Sequence, residues 1–299
     1  MPEFLQSRFF DLYWHYFVAG LAVYIGARLT YFFFNSKDKK EEYKNFGNEA
    51  DFKTPDQIAE SKCVEDESED EEIMPALPAN LKHVPLVFEK LPVHETIERS
   101  EEFYKFMNMR RTVRRFSDES VPAEVIYNII KTAGTAPSGA HTEPWTYVLV
   151  KSLEIKQQIR QIIEDEEEIN YKKRMGKVWT TDLKALRTNW IKEYLTEAPY
   201  LILVFKQTYS FRDDGKKKLH YYNEQSVSLA AGMLLTAIHY AGLVSLTSTP
   251  LNCGPALRSL LGRPISEKLS LLLPVGYPAK DCVVPDLQRK PLEEILVEF

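Results

Sequence analysis

Cysteine is scarce in this chain. Its three cysteines, Cys63, Cys253 and Cys282, are far apart and odd in number, so they suggest neither a disulfide framework nor a metal cluster and fit a reducing compartment. Neither sign of charge dominates. With 38 Lys and Arg against 43 Asp and Glu the net charge is -5, and the basic residues are interspersed with acids, which argues against nucleic acid as a partner. The familiar motifs are missing too: no Gly-x-Gly-x-x-Gly after a strand, no P-loop, no Gly-x-Ser-x-Gly elbow and no paired-histidine zinc signature. A nicotinamide cofactor in a Rossmann site is therefore not expected, nor is a metal centre. No internal repeat is present.

What the chain does have is size, aromatics and one long apolar run. At 299 residues, 44% hydrophobic and 12% aromatic, it can bury one substantial core beside an appendage. After an 11-residue tail (1–11), residues 12–34 are almost wholly apolar or aromatic, broken mainly by His15 and Arg28. That length suits a single membrane-spanning helix, with Tyr13, Trp14, Tyr16, Tyr31 and Phe32 to Phe34 as its interfacial belts. A cleaved signal peptide or an interfacial helix fits less well, because the run ends in bulky aromatics followed by Lys37, Lys39 and Lys40. Those lysines place the rest of the chain in the cytosol by the positive-inside rule. Residues 35–92, acidic from Glu65 to Glu72 and then punctuated by Pro75, Pro78, Pro85 and Pro92, read as a tether. An acidic docking tail is the other reading of that composition.

From Val93 to Phe299 the pattern is globular. Ile97, Phe103, Phe106 and Met107 recur at helical spacing and predict a helix with a buried face, delivering Arg110 and Arg111 at its end. Ser120-Val121-Pro122 starts a second helix, carried by Ile126, Ile129, Ile130 and Ala133 and stopped by Gly134. Strands are predicted over 146–150, 200–205, 243–247 and 269–274, a long acidic helix from Leu153 past Glu168, and a buried helix over 223–241 capped by Gly242. The class is α+β, a central sheet flanked by helices.

Two segments stand out chemically. Arg110-Arg111-Thr112-Val113-Arg114-Arg115 clusters forked, permanently charged donors suited to a phosphate, and the loop Gly134 to Trp145 is rich in small residues and prolines that let a backbone approach a flat ligand. The bland readings are a basic helix end complementing its dipole and a plain loop. His141 invites a general-base role, but a lone histidine in a polar loop is more often structural.

These segments, with Thr249-Pro250-Leu251-Asn252-Cys253-Gly254 and Leu273-Pro274-Val275-Gly276-Tyr277-Pro278, resemble the nitroreductase superfamily over roughly residues 95–299. Glu166 to Tyr171 together with Trp190 to Tyr194 narrow the resemblance to its halotyrosine-deiodinating branch. The resemblance implies a nitroreductase-like central mixed sheet, bound FMN, and NADPH as the ultimate electron source. It implies that Arg110, Arg111, Thr112, Val113, Arg114, Pro137, Ser138, Thr247, Ser248, Thr249 and Arg289 contact the flavin. Thr249 would face flavin N5, helping electrons pass one at a time, and Cys253 would be structural. Glu167, Lys192 and Tyr171 would bind the ammonium and carboxylate of an amino acid, and the Ala140 N–H its phenolate. Taken singly, a Glu in an acidic run and a Lys on a helix are ordinary surface residues. The implied reaction is reductive removal of iodide from 3-iodo- and 3,5-diiodo-L-tyrosine, in a homodimer with FMN at the interface and residues 166–192 as a lid. A general flavin reductase or nitroreductase would need the arginines but not the trio, and a membrane scaffold would need neither.

Overall fold

The computed structural model describes residues 75–299. The expected membrane helix over 12–34 and the acidic part of the tether lie outside the described residues, and among those described no helix is long and apolar enough to cross a membrane. Residues 75–92 carry neither helix nor strand and are largely exposed.

Helix α1, Val93–Asn108, forms as its periodicity predicts, but its apolar face is not buried: Ile97 is 60% exposed and Phe103 54%, and none of its residues is buried. The reason is a lack of cover. Among the described residues the ring contacts of α1 come from its last turn, where Phe106 stacks on His239 at 4.3 Å and meets Tyr240 edge-on at 5.8 Å. Helix α2, Ala123–Ala133, buries Ile126, Ile129 and Ala133, and Gly134 ends it in a right-handed conformation at φ -66°. Strand β1, Trp145–Val150, leads to α3, Leu153–Ile169, whose start is capped by the Ser152 hydroxyl accepting from the Ile155 N–H at 3.4 Å. One π-helical turn, Asn170–Arg174, and α4, Lys177–Ala185, follow. Then come the single turn α5, Tyr194–Glu197, strand β2, Tyr200–Gln207, and a small hairpin of β3, Tyr209–Phe211, with β4, Lys217–Leu219. Helix α6, Asn223–Tyr240, closes on Gly242 at φ 75°, the left-handed stop that glycine allows. Strand β5, Val244–Ser245, helix α7, Gly254–Leu260, and strand β6, Glu267–Gly276, complete the order.

The sheet runs β1-β2-β6-β5 with every pair antiparallel. Thr112 adds a parallel bridge to Ser245, which makes the sheet mixed. Central β2 is a continuous apolar run because both of its faces are covered. Ile202 and Val204 join Ile126, Val227 and Leu234 of α2 and α6, while Leu201, Leu203 and Phe205 join Ile159, Ile163 and Leu257 of α3 and α7. At the end of β6 only glycine fits, since a Cβ on Gly276 would lie 2.5 Å from Pro199 Cδ. The hairpin, α4, α5 and α7 escaped the sequence reading because none is long enough to show a period.

Candidate active site

The chain leaves α1 at Met109 and runs along the sheet edge. The Val113 N–H donates to the Ser245 carbonyl at 3.1 Å, and Phe116 bridges Pro278. This pinning buries Val113, and the segment borders two cavities, Arg110, Arg111 and Val113 lining one and Thr112, Arg114 and Arg115 the other. One, of about 250 Å³, is lined by Arg110, Arg111, His239, Ser245 and Pro278. The other, of about 800 Å³, is lined by Thr112, Arg114, Leu186 to Asn189, Tyr194 and Val283 to Asp286. Arg289, remote in sequence, arrives beside the first arginines. It donates to the Asn108 carbonyl at 2.8 Å, to Asn108 Oδ1 at 2.9 Å and to the Arg110 carbonyl at 2.8 Å, and Arg111 donates to the Pro285 carbonyl. Arg110, Arg111 and Arg289 therefore form one cluster, while Arg114 points its influence toward Tyr171, Lys192 and Tyr194.

The loop before β1 is strained. Ala140, His141 and Glu143 all take left-handed backbone, at φ 48°, 51° and 47°, a conformation that costs non-glycine residues and clusters at functional sites. Local bonds hold it: Thr142 Oγ1 to the Gly139 carbonyl at 2.9 Å, the Glu143 N–H to Ser138 Oγ at 3.0 Å and the Gly139 N–H to Ser226 Oγ at 3.4 Å. Gly139 is required there, because a Cβ would meet the Tyr221 carbonyl oxygen at 2.7 Å. Pro137 and Ala140 are exposed, and His141 is exposed with its ring 3.0 Å from Glu143. Neither cavity beside the arginine segment is lined by Pro137, Ser138 or Ala140. Beyond β5 the chain keeps contact with β6, Ser248 and Leu272 exchanging N–H to carbonyl bonds of 2.9 and 2.8 Å, with Thr247 and Thr249 exposed on either side.

Opposite lies a closed charged cluster. Glu167, in the last turn of α3, and Lys192 are each 7% exposed, and Lys192 Nζ lies 3.6 Å from Glu167 Oε2. The ammonium also donates to the Asn189 carbonyl at 2.6 Å and sits over the Tyr171 ring, 5.4 Å from its centre. The trio is thus brought together, although Tyr171 falls in the π-helical turn rather than on the regular face of α3. Burial lowers the pKa of Lys192, with Glu167 opposing that fall, and burial next to Glu167 raises the pKa of Tyr171. Two supporting residues were not singled out from the sequence. Buried Asn170 donates to Glu167 Oε1 at 3.3 Å and accepts from Arg174 at 2.9 Å. Buried Tyr194, its pKa pushed up to about 12 by desolvation, hydrogen-bonds Ser248. Their proximity in sequence to Tyr171 and Lys192 was the available signal. Burial pushes the Cys253 thiol up to about 12, leaving it protonated and a poor nucleophile.

A mixed sheet between helix layers, with an arginine cluster at one edge, defines the class: the sequence model of the nitroreductase family matches residues 107–277. Human iodotyrosine deiodinase 1 is 54% identical over 286 residues, covering 94% of this chain and 99% of that protein. The iodotyrosine deiodinase of Hydra vulgaris is 65% identical over 205 residues, 69% of this chain and 75% of that protein. Among solved structures, oxidized iodotyrosine deiodinase bound to FMN and 3-iodo-L-tyrosine matches with a TM-score of 0.58 and 34% identity, over 66% of this chain and 98% of that one. The chain belongs to the nitroreductase family and, within it, to the iodotyrosine deiodinases.

Proposed function

We propose that this chain reductively removes iodide from 3-iodo- and 3,5-diiodo-L-tyrosine with FMN as cofactor. The observation that carries the reading is the buried Glu167, Tyr171 and Lys192 cluster, which a general flavin reductase does not need. An amino-acid zwitterion finds an anion for its ammonium in Glu167 and a cation for its carboxylate in Lys192, with the Tyr171 hydroxyl as a further partner. Bound, reduced FMN supplies two electrons that, with one proton, replace the carbon–iodine bond by carbon–hydrogen and release iodide.

The residues present fit that cofactor. Arg110, Arg111 and Arg289 give a phosphate clustered guanidinium donors, Thr112 and Arg114 line the larger cavity, and Thr247 and Thr249 are exposed hydroxyls. Thr249 would offer its hydroxyl to the reacting edge of bound flavin, and Ala140 would offer its N–H to the substrate phenolate. The strained loop holding Pro137, Ser138 and Ala140 lines neither cavity of its own chain, and α1 leaves its apolar face uncovered. Both features support a homodimer in which each chain's loop completes the flavin site of the other. The segment from Glu166 to Lys192 closes over the substrate and excludes water. NADPH is the ultimate donor, either directly or through a flavin-reducing partner, and in neither case through a Rossmann site. Residues 12–34 anchor the protein in a membrane, 35–92 tether it, and the catalytic domain over 93–299 faces the cytosol.

Purified protein should be yellow with FMN and should bind 3,5-diiodo-L-tyrosine. Lys192→Gln should abolish that binding while nitroaromatic reduction by the same preparation persists. Unchanged diiodotyrosine binding would make the protein a general reductase instead, and equal loss of both would make Lys192 a residue of the fold and not of substrate recognition.

A further inference from the structure

The charged cluster has a support that its ligand would not touch. Helix α3 presents Arg160, Glu164 and Glu167 at i, i+4 and i+7, one stripe of the helix. Glu164 Oε1 accepts from the backbone N–H of Lys192 at 2.6 Å and from Arg160 Nε at 2.7 Å. Arg160 Nη1 reaches on to Thr196 Oγ1 at 2.9 Å. The segment from Lys192 to Thr196 is thereby fastened at both ends to the helix that carries Glu167. All of these bonds involve a charged group and lie in a partly buried setting, where such bonds are strong.

We propose that Glu164, held by Arg160, is a positioning residue that sets the gap between the Lys192 ammonium and the Glu167 carboxylate, and so the recognition of the amino-acid carboxylate. The inference rests on the halotyrosine reading above. One rigid helix carries both the anion and the brace on the cation, so the spacing between the two charges is a property of α3 and not of the segment after α4. Without Glu164 the Lys192 N–H loses its acceptor and the backbone that aims Nζ is freed at that point. The hydrogen bonds of the Arg289 cluster and of the Ala140 loop do not involve Glu164, so the arginines offered to the phosphate are held independently of it.

The test uses the full-length, FMN-loaded protein and two probes, 3-iodo-L-tyrosine and 3-iodotyramine, which lacks the carboxylate. Glu164→Ala should weaken 3-iodo-L-tyrosine by about ten- to a hundredfold, as a lost charged hydrogen bond and an ångström-scale misplacement do. Binding of 3-iodotyramine and FMN occupancy should change by less than about twofold, because Lys192 has no carboxylate to meet there. Glu164→Gln keeps an acceptor oxygen and should restore most of the affinity. Combined with Lys192→Gln, Glu164→Ala should add nothing. If Glu164→Ala cannot be isolated with FMN, Arg160→Met reads the same brace and should give a smaller loss with the same preference for the carboxylate-bearing probe. Equal losses for both probes, or none, would overturn the proposal. A wild-type protein that binds neither probe would overturn the halotyrosine reading itself, a result distinct from unaffected variants of a protein that binds both.

Discussion

The two halves of the site are built in opposite ways. The half proposed for the amino acid is closed: Glu167, Lys192 and Asn170 are buried, and Glu167 pairs with Lys192 and accepts from Asn170 within a single chain. The half proposed for the flavin is open: Thr247, Thr249, Pro137 and Ala140 are exposed, and no residue of α1 is buried. The difference follows from what each charge can tolerate. A buried ammonium and carboxylate need partners at all times, so Lys192 and Glu167 keep each other company, and a zwitterion entering between them replaces one ion pair by two. Arginines at a surface need no such arrangement, and they are tied instead to carbonyls of Asn108, Arg110 and Pro285.

That contrast can be broken most sharply at Lys192. Lys192→Gln should lower kcat/KM for 3-iodo-L-tyrosine by about a hundredfold or more, because truncating one partner of a buried charge pair costs several kcal/mol, while FMN affinity stays within about twofold; steady-state kinetics and flavin titration read both. The next largest effect should fall on the other half. Arg289→Ala should weaken FMN by about tenfold or more through loss of charged donors, leaving the preference for iodotyrosine over iodotyramine unchanged, as equilibrium dialysis of the flavin would show.

The pH profile sharpens the comparison further. Burial lowers the pKa of Lys192 below the ordinary 10.5, so its charge is lost as pH rises through that lowered value, earlier than for a free lysine. Affinity for 3-iodo-L-tyrosine should therefore decline on the alkaline side, and affinity for 3-iodotyramine should lack that limb. The smallest effect lies outside the site. His220 is buried, both of its ring nitrogens lack a hydrogen-bond partner among the described residues, and its pKa is lowered to about 4 by burial and by Lys218. The unfolded chain binds its proton first, so stability contributed by neutral His220 is lost as pH falls from about 6.5 to about 4. His220→Gln should flatten acid denaturation in that window, measured by urea midpoints.

Much of this was legible in the sequence, and for different reasons. Long elements showed themselves, α2 through the spacing of Ile126, Ile129 and Ala133, α3 as a long acidic run, α6 as an apolar run with small residues, and β2 through an unbroken apolar stretch. The buried face expected for α1 was not found, because a periodic stripe shows that a face is apolar and not that the same chain covers it. Glu167, Tyr171 and Lys192 came from resemblance, since nothing local distinguishes a buried Glu in an acidic run from a solvated one. Glu164 and Asn170 stayed hidden for the same reason: their roles consist of bonds to Lys192 and Glu167 that only the fold creates. The left-handed backbone at Ala140 had no sequence signal, because alanine does not advertise a positive φ.

The central claim is that the open half reduces what the closed half holds. Anaerobic single-turnover reaction of the FMN-reduced protein with excess 3-iodo-L-tyrosine, followed by quantifying iodide and tyrosine, tests it directly. One iodide and one tyrosine are expected for each reduced flavin consumed; flavin that stays reduced while iodotyrosine remains bound and intact would be the contrary result.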